Sequence, residues 1–233
     1  MTTKPLVLGV LGGMGPAATL AYLARVQALT PAERDQDHIR VIADINPQAP
    51  DRNVPGSGAG EVLAEMAGAL AGAGAQVLAM PCNTAHAHAG LIQRASGLPL
   101  IDMIGLGAAA AAGTGARRAG VLGTKGAIRL YREYLAARAM GLVVLPAEAQ
   151  EAFMATIYKI KAGDMGEEVR AEMRAHAEAL RAEGAEVLVA GCTEVPLVMG
   201  PRDTRLELVD PGELLARKSV AVCLGWEAKP AIS

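Results

Sequence analysis

Two cysteines, Cys82 in MPCNTAH (80–86) and Cys192 in AGCTEVP (190–196), each stand between an apolar run and residues suited to open a helix. A thiol at such a junction meets backbone N–H groups and a helix dipole, both of which stabilise thiolate. Two thiols on opposite faces of one carbon could exchange a proton, one removing it as thiolate and the other returning it as thiol. General acid–base catalysis of this kind needs both groups at the reacting atom and in opposite protonation states. Inversion at a stereocentre is the reaction that requires it. A lone cysteine is more simply a small buried hydrophobe, and Cys223, inside VAVCLGW on a helical stretch, is read that way.

What lifts Cys82 and Cys192 above that reading is an internal repeat. GVLGGMG (9–15) and GVLGTKG (120–126) agree at five of seven positions, offset by 111 residues. GAQVLAMPC (74–82) and GAEVLVAGC (184–192) agree at five of nine, offset by 110. Two blocks in the same order with nearly the same offset indicate a duplicated domain, because the period is far longer than a solenoid repeat. Each half then has a first strand ending in glycines and a later strand ending in cysteine.

The elements that must carry these residues follow from periodicity. Apolar runs at 6–11, 39–45, 75–80, 118–123, 142–145 and 185–190 are rich in Val, Leu and Ile with little polar alternation, as in strands covered on both faces. Stretches at 18–29, 61–74 and 167–184 have helical spacing, the last two stopping at glycine. The alternation predicts an α/β fold: two similar pseudo-symmetric domains, each a parallel sheet flanked by helices. The expected division is 1–103, completed by 207–233, and 104–206. Ligands of open α/β sheets bind outside the carboxyl ends of the strands, where both glycine turns and both cysteines fall. If the halves face each other, the active site is the cleft between them.

Composition excludes other classes. The 233 residues are 52% hydrophobic and 20% charged, with net charge −2 from 22 basic and 24 acidic residues. No footprint for nucleic acid or a membrane surface is present, and aromatics, at 3%, are too few for base-stacking platforms. Three cysteines do not make a disulfide framework, which points to a reducing, cytoplasmic setting. The uncharged stretch from Pro5 to Ala24 follows Lys4 like an export signal, but Gly9, Gly12, Gly13, Gly15 and Pro16 interrupt it.

Three other patterns carry less weight. Gly13-Met14-Gly15-Pro16-Ala17-Ala18 fits the loose dinucleotide pattern G-x-G-x-x-A, yet its acidic partner Asp44 lies further on than that pattern wants, and GTKGAI loses it. The glycines more simply let the backbone approach a small ligand, with Pro16 opening the helix. Cys82, His86 and His88 lack further ligands at metal spacing, so no metal is expected. A Cys–His nucleophile would leave Cys192 and the duplication unexplained.

GVLGGMGPAAT at the start, NPQAPDR (46–52), MPCNTAH, IKAG (160–163) and GCTEVPL (191–197) resemble the aspartate/glutamate racemase superfamily across essentially the whole chain, most nearly its cofactor-independent aspartate racemases. The resemblance implies two similar α/β domains, a homodimer, no cofactor and no pyridoxal phosphate, and a two-base mechanism in which Cys82 and Cys192 are the catalytic thiols. It assigns Arg52 to the side-chain carboxylate of a small dicarboxylic amino acid and Lys161 to a similar role. A guanidinium grips a carboxylate with two parallel hydrogen bonds, whereas an ammonium acts as a point charge. Asn83, Thr84, Thr124 and Thr193 are candidates for holding the α-amino and α-carboxylate groups, with Glu194 beside them and Met14 and Gln48 contributing through their loops. One departure is visible: Ala127 stands where the family usually has a second threonine after Thr124, and the segment that follows is about two residues shorter. The alternatives are a racemase of broader specificity, a one-thiol decarboxylase or isomerase of the same superfamily, and, outside enzymes, a two-lobed small-ligand binding protein.

Overall fold

The computed structural model describes residues 4–232. The chain forms two compact units: one runs to Met103 and resumes at Gly212, and the other is Ile104–Pro211. The first begins with β1 (Leu8–Gly12), α1 (Pro16–Leu29), β2 (Val41–Ile45), α2 (Ala59–Gly72), β3 (Val77–Ala79) and α3 (Ala89–Ser96). Its strands are all parallel in the order β2-β1-β3, and a parallel bridge from Leu78 to Leu100 extends the β3 edge. The second unit follows α4 (Met103–Gly113) with β4 (Arg118–Val121), α5 (Lys125–Ala136), β5 (Gly141–Val143), α6 (Ala147–Lys161), α7 (Glu167–Ala182), β6 (Val187–Val189), α8 (Val195–Val198) and β7 (Glu207–Val209). Its parallel order is β5-β4-β6-β7.

The two sheets repeat one plan. β1 and β4 are central, and β3 and β6 carry the cysteine-bearing ends. Leu78 bridges Leu100 as Leu188 pairs with Leu208, so LID (100–102) and LVD (208–210) are a third repeated block that the sequence alone does not reveal. Three residues are too few to register without the sheet around them. The segment 207–211, expected with the first domain, belongs to the second, because β7 completes the ladder on β6. From Gly212 the chain returns to the first unit. There α9 (Pro211–Cys223) accepts the Leu6 N–H at the Cys223 carbonyl, 2.8 Å, and places Ser219 2.7 Å from the Tyr22 hydroxyl. Glu213 receives two bonds from the Arg25 guanidinium, at 2.5 and 2.8 Å.

β1, β3 and β6 are wholly buried, as their unbroken apolar runs predict. The edge strand β2 is not; Ala43 and Ile45 reach solvent. Helices cover the faces with apolar stripes: Leu63, Met66, Ala67 and Leu70 of α2 in the first unit, and Phe153, Ile157, Met173 and Leu180 of α6 and α7 in the second. The repeated glycine in each central strand has a steric reason. A Cβ on Gly9 would lie 2.8 Å from both the Ala75 and Leu78 side chains, and one on Gly120 would lie 2.8 Å from Ala185 and 3.1 Å from Leu188. Such distances are inside van der Waals contact, so only glycine lets helix and neighbouring strand close on the centre.

A buried histidine ties the first unit's loops together. The ring of His86 sets Nδ1 2.9 Å from the Cys82 carbonyl and Nε2 3.3 Å from the Met103 N–H. A carbonyl only accepts and an amide N–H only donates, so the shorter contacts assign the neutral ring's proton to Nδ1, and the Ile101 carbonyl, 3.4 Å from Nε2, then receives no hydrogen bond from it. Burial pushes the pKa of His86 below the ordinary 6.5, against the opposing pull of the Cys82 carbonyl and Asp102. In the second unit burial does the same to His176, against the opposing charge of Glu172.

Two outcomes follow. Gly120→Ala should cost about 1–3 kcal/mol through overpacking, read from the urea midpoint, and Ala185→Gly in the same chain should recover part of it. Both buried imidazoles bind protons less readily folded than unfolded, so their contribution to stability is complete above 6.5 and is lost as pH falls below it. Urea unfolding between about pH 7 and pH 5 should therefore show declining stability, and His86→Gln should flatten the decline.

Candidate active site

In the first unit the chain leaves β1 through Gly12, Gly13, Met14 and Gly15 into α1. Gly13 has φ +93°, and a Cβ there would strike the backbone of Asn46 at 2.4 Å, so the two carboxyl-end loops touch main chain to main chain. Thr19, fully buried, holds the turn: its hydroxyl accepts from the Gly13 N–H and donates to the Gly15 carbonyl, both at 3.0 Å. Met14 is 4% exposed and packs in the same apolar cluster as Cys82 and Ala49. Its side chain is core, and what it can offer a ligand is backbone.

The NPQAPDR loop follows β2. Asn46 donates its N–H to the Gly12 carbonyl and accepts the Gln48 N–H on Oδ1 at 3.0 Å, an Asx turn that leaves the Gln48 side chain exposed. Arg52 folds back on its own loop, donating from Nη1 to the Ala49 and Pro50 carbonyls at 3.0 and 2.8 Å. Its Nε is buried without a partner. The guanidinium is thereby oriented before any ligand arrives, with donor capacity to spare.

After β3, Cys82 is 6% exposed, followed by buried Asn83 and Thr84 at the head of a short 3₁₀ turn, Thr84–His88. The His86 bond to the Cys82 carbonyl closes that turn beneath the thiol.

In the second unit Thr124 caps α5, its hydroxyl accepting the Ala127 N–H at 3.2 Å. Gln150 of α6, which the sequence patterns do not single out, donates Nε2 to the Gly123 carbonyl at 3.0 Å and keeps Oε1 buried without a partner. Nothing in local periodicity separates it from other buried helix positions. Lys161 ends α6, exposed, its Nζ 6.0 Å from the centre of the Tyr158 ring. Its charge nevertheless reaches Cys192 and favours thiolate there.

Cys192 is 7% exposed, in a turn where Gly191 donates to the Val189 carbonyl at 2.9 Å and Val195 to the Cys192 carbonyl at 3.1 Å. Its Sγ–H donates to Glu194 Oε2 at 2.8 Å. Thr193, half-buried, directs its hydroxyl at the same oxygen from 3.4 Å. The thiolate-favouring niche expected from a helix start is outweighed here. Burial pushes the Cys192 thiol well up, the Glu194 charge and hydrogen bond push further, and Lys161 and the Glu194 N–H oppose them only in part. α8, which follows, is four residues long and brings little dipole to bear. Cys223, 1% exposed in α9, is pushed up to about 12 by burial, as a structural thiol would be.

Among the described residues no group of three or more His, Cys, Asp or Glu is disposed to hold a metal, and no helix is long and apolar enough to cross a membrane. Each unit thus gathers at its strand ends a glycine turn, a cysteine and polar side chains: Asn83, Thr84, Gln48 and Arg52 in one, and Thr124, Lys161, Thr193 and Glu194 in the other.

This arrangement has known counterparts. The family model of the Asp/Glu/Hydantoin racemases matches residues 11–218. The broad specificity amino-acid racemase RacX of Bacillus subtilis (strain 168) is 25% identical over 230 residues, 95% of this chain and 100% of that one. A glutamate racemase of Synechococcus sp. (strain CC9605) is 32% identical over 169 residues, 69% of this chain and 61% of that one. The aspartate racemase of Picrophilus torridus superposes with a TM-score of 0.79 at 25% identity, covering 94% of each chain. With the racemase model spanning both glycine turns and both cysteines, the chain belongs to the Asp/Glu/Hydantoin racemase family and is an isomerase of the racemase kind.

Proposed function

We propose that the protein is a cofactor-independent aspartate racemase, interconverting L- and D-aspartate with Cys82 and Cys192 as the acid–base pair. The observation that carries this reading is the matched placement of the two thiols, each at the carboxyl end of the strand beside the central one, in a chain of a racemase family.

One thiolate takes the α-proton, forming an S–H bond as the Cα–H bond breaks. The electron pair spreads onto the α-carboxylate. The other thiol then delivers its proton to the opposite face, leaving the enzyme with its two protonation states exchanged. The α-proton is weakly acidic, so charge developing on the carboxylate needs fixed donors around it. The N–H groups and hydroxyls of the cysteine turns, at Asn83, Thr84 and Thr193, and the Thr124 cap are the candidates. Arg52, already oriented by its own loop, and Lys161 supply the cations for a second carboxylate. Together they favour a dicarboxylic over a neutral amino acid. The likeness to RacX over the whole of its length supports a second reading, a racemase of broader specificity acting through the same thiols.

Incubation with L-aspartate in D₂O, without added cofactor, should give α-deuteration and loss of optical rotation together. If no acidic or neutral amino acid exchanges its α-proton, the racemase reading is wrong for this chain. Cys82→Ser and Cys192→Ser should each lower kcat for inversion by about 10²–10⁴-fold, and full inversion by the Cys192→Ser protein would point to one-thiol chemistry. Arg52→Met should raise KM for aspartate about 10–100-fold, the loss of a charge-assisted bond, while barely changing KM for a neutral amino acid. Equal rates on aspartate and on neutral amino acids in the unmodified protein would favour the broader reading.

A further inference from the structure

Glu194 is grouped with the substrate-binding residues on sequence, but the fold aims it at a thiol. Its side chain is 3% exposed, Oε2 accepts from Cys192 Sγ at 2.8 Å, and Oε1 is buried without a partner. A carboxylate buried with half of its acceptor capacity idle is costly. Cys82, at the matching place in the repeat, is followed by Asn83 and Thr84 and has no carboxylate in those two positions. The residues that follow the two thiols therefore differ although the sheets that carry them are alike.

Building on the racemase reading above, we propose that Glu194 is a positioning residue that holds the proton on Cys192 in the free enzyme, so that Cys192 rests as the thiol. The physical basis is the sign of the contact. A carboxylate can only accept, so it bonds the S–H form and repels the thiolate. When Cys192 gives its proton to the substrate carbon, the S–H bond breaks and leaves a thiolate beside the Glu194 carboxylate. That pair of anions favours return of a proton to the sulfur, from solvent or from the product's α-carbon. Burial of the thiol acts in the same direction. Lys161 is the charged group that acts against it, and its exposed ammonium is the weaker influence.

The test reads thiol acidity directly and does not depend on turnover. Alkylation of the full-length protein by iodoacetamide is followed across pH by mass spectrometry of the Cys192 peptide. Glu194→Gln keeps the shape and removes the charge, so the Cys192 profile should move to lower pH. Alkylation at about pH 8 should then be roughly tenfold faster for every pH unit the profile moves. Lys161→Met should move it the opposite way. In the active protein, Glu194→Gln should carry the alkaline limb of the kcat profile to lower pH, a change that mere loosening of the turn would not produce. An unmoved Cys192 profile in Glu194→Gln overturns the proposal. If that variant does not fold, Glu194→Asp withdraws the carboxylate by one methylene and should also accelerate alkylation, with an unmoved profile again overturning the idea. A displaced profile in a protein that racemises nothing would keep the thiol assignment and sink the racemase reading instead.

Discussion

A close approach at the centre of each sheet is made where a side chain is missing. Gly9 in β1 and Gly120 in β4 leave room for an alanine at the helix-to-strand turn and a leucine on the next strand, and a single added Cβ would lie 2.8 Å from its nearest neighbour in both. Because the contact is made at the centre of the sheet, everything at the strand ends inherits its position from it. Moving the third strand by a few tenths of an ångström would move the cysteine that follows it. The same three residue types, Gly, Ala and Leu, meet in both units, so the duplication reproduces the positioning of the thiol along with the fold.

The carboxyl-end loops are then fixed by polar ties as well as by packing. Thr19 bonds twice to the first glycine turn, and His86 spans from the Cys82 carbonyl to Met103. Gln150 reaches from α6 to the Gly123 carbonyl. Each satisfies backbone groups that a tight, buried loop would otherwise leave bare. Loops built in this way can present N–H groups and hydroxyls to a small anionic ligand with little reorganisation, as stabilising a carbanion's charge requires. Arg52 shows the same economy, since its own loop carbonyls hold the guanidinium.

The electrostatics of Cys192 turn on relative size. A helix start and the Glu194 N–H favour the thiolate, but α8 has four residues, and burial beside the Glu194 carboxylate weighs more. Desolvation of a thiolate grows with depth, while a short helix contributes only the N–H groups of its first turn. A buried thiol kept protonated is a poor nucleophile and a weak acid, which gives up its proton only to a strong base such as a carbanion. That suits proton transfer to carbon better than covalent catalysis.

The sequence by itself determined the class of the fold, its duplication and the two thiols. Unbroken Val/Leu/Ile runs report strands buried on both faces, and two cysteines matched in a long-period repeat report the same place after matched strands. It did not reveal that residues 207–211 complete the second sheet, because LVD is too short to read until the β6 edge supplies its partner. Nor did it reveal Thr19, Asn46 and Gln150, whose importance lies in carbonyls and amides that become their neighbours only on folding. Glu194 is the sharpest case. Two residues after a cysteine, it reads as a group for the substrate, and only the turn's dihedral angles decide whether a carboxylate faces outward or onto the neighbouring sulfur. Periodicity and residue type record what each element buries, whereas the direction of a side chain in an irregular turn is set by the surfaces that close around it.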